Sequence, residues 1–148
     1  MHPVVGAMKT TKKLVKADFE ALSEFRYQLR RFLRFSESAA EAEGLTPLQY
    51  LLLLHIKGFP GRESATVGEL AERLQSQHHG VVALVSRCES AGLVLRSPGE
   101  VDRRQVLVSL TALGESKLRQ LAELHRAELE SLSRVFKVAT ISEFNDRN

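Results

Sequence analysis

Between Asp18 and about Ala42 there is no glycine or proline, and Phe19, Leu22, Phe25, Leu29, Phe32 and Leu33 recur at intervals of three and four. That period places them on one face of a long amphipathic helix, with Arg26, Arg30, Arg31 and Arg34 on another, a solvated or phosphate-facing surface. Gly44 ends the helix, and Thr46 followed by Pro47 restarts one, a capping residue and then a proline whose missing N–H costs nothing in a first turn. The second helix runs through Leu51, Leu54 and His55 and stops near Gly58, before a loop at Pro60 and Gly61. Thr66-Val67-Gly68-Glu69 then reads as a capping box, in which threonine and glutamate each satisfy the other's backbone N–H. The short helix it opens carries Leu70, Ala71 and Leu74. After a turn at Gln75-Ser76, a further helix from Gln77 to Ala91 turns Val81, Leu84, Val85 and Cys88 inward.

The pattern then changes. Leu93 to Leu110 holds two short β-branched and leucine-rich runs around Pro98-Gly99, closing with Asp102-Arg103-Arg104, which predicts a β-hairpin with a basic tip. Helix, turn, helix and basic hairpin in that order is the plan of a winged helix-turn-helix, whose second helix enters the major groove while the hairpin reaches the minor groove. Thr111 caps a second long helix, striped by Leu113, Leu118, Leu121, Leu124, Leu129, Leu132 and Phe136. Thr140-Ile141-Ser142-Glu143 opens a short terminal helix containing Phe144. Two long apolar-striped helices cannot both be buried against so small a head, so a second subunit is expected to cover them. The expected fold is mainly α (α+β), a winged helix-turn-helix head with long amino- and carboxy-terminal dimerisation helices. Residues 1–17 would be a flexible basic arm and 18–148 a single domain, with its winged part at about 46–110 and its dimerisation helices at about 18–42 and 112–146.

Composition narrows the chemistry more than it defines it. A length of 148 residues suits one domain, and the net charge of +3 suits a polyanionic partner without naming one. The early lysines Lys9, Lys12, Lys13 and Lys16 read as a solvated arm. The single cysteine excludes an internal disulfide and a cysteine-based zinc site, and fits a reducing compartment. No run is long enough to span a bilayer, and the amino-terminal lysines follow the apolar residues where a signal peptide would have them first, so a cytoplasmic protein without membrane contact is expected. There is no glycine-rich phosphate loop, nucleophile elbow or paired-carboxylate signature, so no catalysis and no cofactor are expected. His78 and His79 are adjacent and diverge by about 100 degrees on a helix, which argues against a shared metal ion.

Leu74, Val81, Leu84, Val85, Arg87, Glu89, Gly92-Leu93-Val94 and Arg96, then Asp102-Arg103-Arg104, Val106, Val108, Leu110-Thr111 and Gly114, together resemble the MarR family of bacterial transcription regulators. The similarity follows residues 18–146 in order of elements and is specific over 66–114. It implies a homodimer joined through its first and last helices, binding double-stranded DNA at a palindromic operator, most simply as a repressor, and released by a small aromatic or anionic ligand. Carried onto this chain, the recognition helix offers Gln77, His78, His79, Gly80, Ala83 and Arg87, and the wing offers Asp102, Arg103 and Arg104. Where the family opens that helix with serine or threonine, this chain reads Gln77-His78-His79-Gly80. Gln77 can pair with adenine and the histidines can donate to phosphates or bases, or the histidines are merely exposed helix-start residues. Asp102 and Arg104 are either a groove reader with its orienting carboxylate or an ion pair that only stiffens the hairpin. A ligand pocket would use Arg30, Arg34 and His55, where the first, second and fifth helices meet the head. Two other readings stand beside this one: a winged helix that contacts proteins and has no operator of its own, and a redox-sensing regulator using Cys88, against which stands a buried, inert thiol.

Overall fold

The computed structural model describes residues 13–139, the side chains of 131, 132 and 134–139 excepted. The capping box at Thr140, Phe144, and the early lysines Lys9 and Lys12 lie outside the described residues, as do the side chains of Leu132 and Phe136. The described elements run α1 (Lys16–Ala42), α2 (Pro47–Lys57), β1 (Ser64–Thr66), α3 (Val67–Leu74), α4 (His78–Ser90), β2 (Val94–Pro98), β3 (Val106–Leu110) and α5 (Ala112–Ala139). This is the mainly helical fold with a small antiparallel sheet that the sequence pattern predicts.

Local chemistry sets the boundaries. Thr46 and Gln49 form a full capping box at the start of α2, and Thr66 and Glu69 form another at α3. α1 begins at Lys16, two residues earlier than the periodicity suggests, with the Asp18 carboxylate accepting the Val15 N–H at 2.9 Å. At the corner between α3 and α4, Gln75 lies in the left-handed region at φ 53. Its side-chain amide donates to the Glu72 carbonyl at 2.7 Å, holding a conformation that a non-glycine residue otherwise disfavours.

The sheet has three strands where the hairpin pattern predicts two. Its order is β1-β3-β2, all antiparallel: Ser64–Thr66 pairs with Leu107–Ser109, and Val94–Pro98 pairs with Val106–Leu110. β1 is Ser-Ala-Thr, too short to show an alternating pattern, and only the edge offered by β3 makes it a strand.

The described residues divide into two units, one of 13–34 with 127–139 and one of 35–126. In the second, Leu52, Leu53 and Ile56 of α2 pack with Leu70, Val85, Cys88, Val94, Val108, Leu118 and Leu121, all buried. Leu118 and Leu121 therefore belong to the core of the head, which corrects their expected place on a dimerisation stripe. Of the other described stripe residues, Phe25, Leu29 and Phe32 of α1 are half-buried, while Phe19, Leu22 and Leu33 of α1 and Leu113, Leu124 and Leu129 of α5 are exposed.

Two anchors hold the ends of the second unit's elements. His125, buried, donates from Nδ1 to the Leu121 carbonyl at 2.6 Å, meets Ser36 Oγ through Nε2 at 2.6 Å, and stacks on Tyr50 with ring centroids 4.7 Å apart. At the other end of this stretch of α5, the Thr111 N–H donates to the Leu93 carbonyl at 3.0 Å and its hydroxyl donates to the Gly92 carbonyl at 2.6 Å. The Thr111 hydroxyl also accepts the Gly114 N–H at 3.0 Å, so it caps α5 as expected. Gly114 sits so close to the α4–β2 corner that a Cβ there would lie 2.1 Å from the Leu93 carbonyl oxygen.

Candidate nucleic-acid interface

α4 separates its faces cleanly. Val81, Leu84, Val85 and Cys88 are buried, while His79, Ala83 and Arg87, spaced by four, form an exposed stripe on the opposite side. Gln77 is the N-cap residue, one position earlier than the helix it was expected to open, and its side chain makes no capping hydrogen bond. The amide N–H groups of His78, His79 and Gly80 thus begin a helix whose cap side chain does not occupy them, and the Gln77 amide is itself free to reach outward. Helix starts of this kind favour anions, through both the unpaired N–H groups and the aligned peptide dipoles.

The hairpin supplies the second element. Its tip is closed by the Gly99 N–H donating to the Gln105 carbonyl at 2.9 Å and the Gln105 N–H donating to the Asp102 carbonyl at 3.0 Å. The Asp102 carboxylate accepts three bonds from Arg104: from its backbone N–H at 3.0 Å, from Nε at 3.1 Å and from Nη2 at 3.4 Å. These bonds, the side-chain one foremost, hold the Asp102 carboxyl below its ordinary range, so it stays ionised. A guanidinium has five N–H groups, and this geometry occupies Nε and one side of Nη2, leaving the outer edge free. The Arg104 side chain is 92% exposed and Arg103 beside it is exposed as well.

Between these elements lies an open groove of ≈ 570 Å³ lined by Thr66, Val67, Gly68, His78, Val82, Arg96, Arg104, Gln105 and Val106. The structure therefore brings together His78 of α4 and Arg104 of the hairpin, with Gln77, His79 and Gly80 next to His78 in the chain. The groove also includes residues not singled out from the sequence. The start of α3 was visible as a capping box but was read only as structure. Val82 could have been found from the α4 pattern, since it falls on the outward side beside Ala83. Arg96 belongs to the run that carries the family resemblance, but a lone arginine in a strand announces no role.

Comparison with known proteins bears on the fold and the family. The MarR family model matches residues 43–105. AbsC, a MarR family transcriptional regulator from Streptomyces coelicolor, superposes with a TM-score of 0.67 over 93% of this chain and 90% of its own, at 24% identity. An S. aureus MepR variant bound to an oligodeoxyribonucleotide superposes at 0.61 over 91% of each chain, at 16% identity. The transcriptional activatory protein BadR of Rhodopseudomonas palustris is 31% identical over 122 residues, covering 76% of this chain and 70% of its own. The chain belongs to the MarR family.

Within a MarR regulator the remaining sequence candidates fall out as follows. Arg30 and Arg34 are exposed on the part of α1 in the first unit, whereas His55 lies in the second, so no single unit brings the three together. His55 is half-buried near Arg73, and burial first, then that guanidinium, lowers its pKa from the ordinary value. Both causes disfavour its charged form. Cys88 is fully buried in the core, and burial pushes its thiol up to about 11. Because the thiolate is the reactive species, the redox reading loses its chemistry. Cys88 is expected to resist a maleimide or iodoacetamide probe in the folded regulator and to react on unfolding. Stoichiometric labelling of the native protein at neutral pH would restore the redox reading.

Proposed function

We propose that this MarR regulator binds a palindromic DNA operator as a homodimer, with the start of α4 in the major groove and the hairpin tip at the adjacent minor groove. The observation that carries the reading is the Arg104 guanidinium, clamped on its inner edge by Asp102 and open on its outer edge, lining the same groove as His78 at the start of α4, where the Gln77 side chain makes no capping hydrogen bond. A cation held at the tip of a thin hairpin suits a narrow minor groove, where the negative potential is concentrated. Gln77, His78, His79 and Ala83 would meet base edges, with Gly80 allowing the backbone close, while Arg87 and Arg103 would meet phosphates. The MepR structure, with its bound oligodeoxyribonucleotide, supports the same use of this fold.

Selection of bound duplexes from a random pool tests the reading. The expected product is an inverted repeat with half-sites about one helical turn, roughly 10 base pairs, apart. A pool with no enriched motif would move the weight to the protein-contact reading. Promoter occlusion by such a complex would make the regulator a repressor; BadR, an activatory protein, shows that a relative acts in the other sense. Reporter output with the operator overlapping or upstream of a promoter separates the two.

The dimer rests on the exposed apolar positions of α1 and α5. Sedimentation at micromolar concentration is expected to give a dimer, and Leu22→Glu combined with Leu129→Glu to shift it to monomer or to insoluble protein. A monomer from the unaltered chain would refute the assembly. Release by an aromatic carboxylate is the finer part of the reading, with Arg30 and Arg34 as its candidate cations, neither ion-paired among the described residues. Salicylate is expected to weaken the operator complex by about 5- to 150-fold, the normal range of such coupling. Equal affinity across a panel of aromatic anions would remove the effector from the account.

A further inference from the structure

Alternation along β2 turns Val94 into the core, Leu95 to solvent and Arg96 back toward the core side, but at a point where the core has ended. The Arg96 guanidinium lies along α4 instead. It donates from Nη1 to Glu89 Oε1 at 2.9 Å, and from Nη2 to Ser86 Oγ at 2.9 Å and to the Val82 carbonyl at 3.3 Å. Residues 82, 86 and 89 form one stripe over two turns of α4, so a single side chain ties the root of the hairpin to the helix that carries His78 and His79. We propose that Arg96 is a positioning residue, fixing the hairpin at the spacing and angle to α4 at which Arg104 and the start of α4 engage one duplex together.

The inference rests on the DNA-binding reading, and the geometry explains why arginine is needed. Two readers that enter neighbouring grooves act together only if their separation is set in advance; a hairpin free to tilt spends binding energy on being held in place. A planar guanidinium satisfies a carboxylate, a hydroxyl and a carbonyl from fixed directions, which a lysine ammonium on a flexible stem does not. Arg96 also lines the groove, so a direct phosphate contact is the competing role, and the two roles give different arithmetic.

If Arg96 acts through the wing, its loss and the loss of Arg104 remove the same contribution. Arg96→Met is then expected to weaken operator binding to within about threefold of Arg104→Ala, and the double variant to bind no more than about twofold worse than Arg104→Ala alone, since residues acting as one unit are not additive. Arg96→Lys is expected to recover only part of the loss. Multiplying losses in the double variant, or full affinity in Arg96→Met, would overturn the proposal. Spin labels at Ser90→Cys and Val101→Cys, both exposed sites, supply a readout without DNA, with buried Cys88 inaccessible to the label. The distance distribution is expected to broaden in Arg96→Met while the thermal transition stays cooperative. An unchanged distribution would refute the tie even if the unaltered chain bound no DNA, whereas absence of operator binding together with broadening would sink the DNA reading and leave the tie standing.

Discussion

Arg104→Ala is expected to weaken the operator complex about a hundredfold while leaving the hairpin folded. A charge-assisted hydrogen bond contributes about 1.5 kcal/mol at the low end, and a dimer loses it once per half-site, about 3 kcal/mol together. The slope of log affinity against log salt should shrink by about two, one for each half-site, and the loss should be similar on random and operator sequences, because the side chain meets phosphate or groove wall more than a unique base pattern. Asp102→Asn makes the informative partner. It loosens the hold on the guanidinium and removes a negative charge, so binding to random duplex should hold or rise while discrimination in favour of the operator falls. Binding and salt slope unaltered by Arg104→Ala would mean that the ion pair with Asp102 only stiffens the tip.

The second large effect belongs to stability. Gly114→Ala is expected to destabilise the protein by about 3 kcal/mol, although alanine in a helix would otherwise gain up to about 1 kcal/mol over glycine. The opposing cause is the 2.1 Å approach of the added Cβ to the Leu93 carbonyl oxygen, a backbone atom that cannot swing aside. Relief requires α5 to lift from the α4–β2 corner, which stretches the two bonds that Thr111 donates to the Gly92 and Leu93 carbonyls. At about 3 °C per kcal/mol for a chain of this size, the melting temperature should fall by roughly 10 °C, read at fixed protein concentration because dimerisation contributes to it. A rise in melting temperature would show that helix propensity dominates and that the corner has room to give.

How much of this was legible in the sequence follows from the range of the interactions involved. The starts of α2 and α3 are local, Thr46-Pro47 at one and Thr66 with Glu69 at the other, so both are read directly, though the Gln49 half of the α2 capping box is not; the three- and four-residue spacing of Val81, Leu84, Val85 and Cys88 marks the inward face of α4. The hairpin and the Asp102–Arg104 pair are also local. β1 was not legible, because three residues make a strand only when β3 is alongside. Leu121 was read on a stripe by its spacing, yet a helix of 28 residues passes through different surroundings along its length, and periodicity cannot say where one ends. Arg96 escaped for a related reason: its partners lie 7, 10 and 14 residues away, across a turn whose geometry the sequence does not display. The surroundings of His55 are not local either: burial and the Arg73 guanidinium, eighteen residues on, both disfavour its charged form.

The sheet order bears on how the hairpin behaves as a mechanical object. Over Leu107–Ser109 it is three strands wide; at the Pro98–Val106 pair it narrows to two, and from Gly99 to Gln105 only two backbone bonds close it. It is a tapered beam, clamped at a broad root and compliant at its end. Amide hydrogen exchange should accordingly be slow at Val108 and fast at Val101 and Arg103, with the gradient steepest near Pro98. Such a beam lets the tip adjust to grooves of differing width without disturbing the root, so tolerance to duplex shape and rigidity of the head reside in different segments of the same eighteen-residue stretch from Leu93 to Leu110.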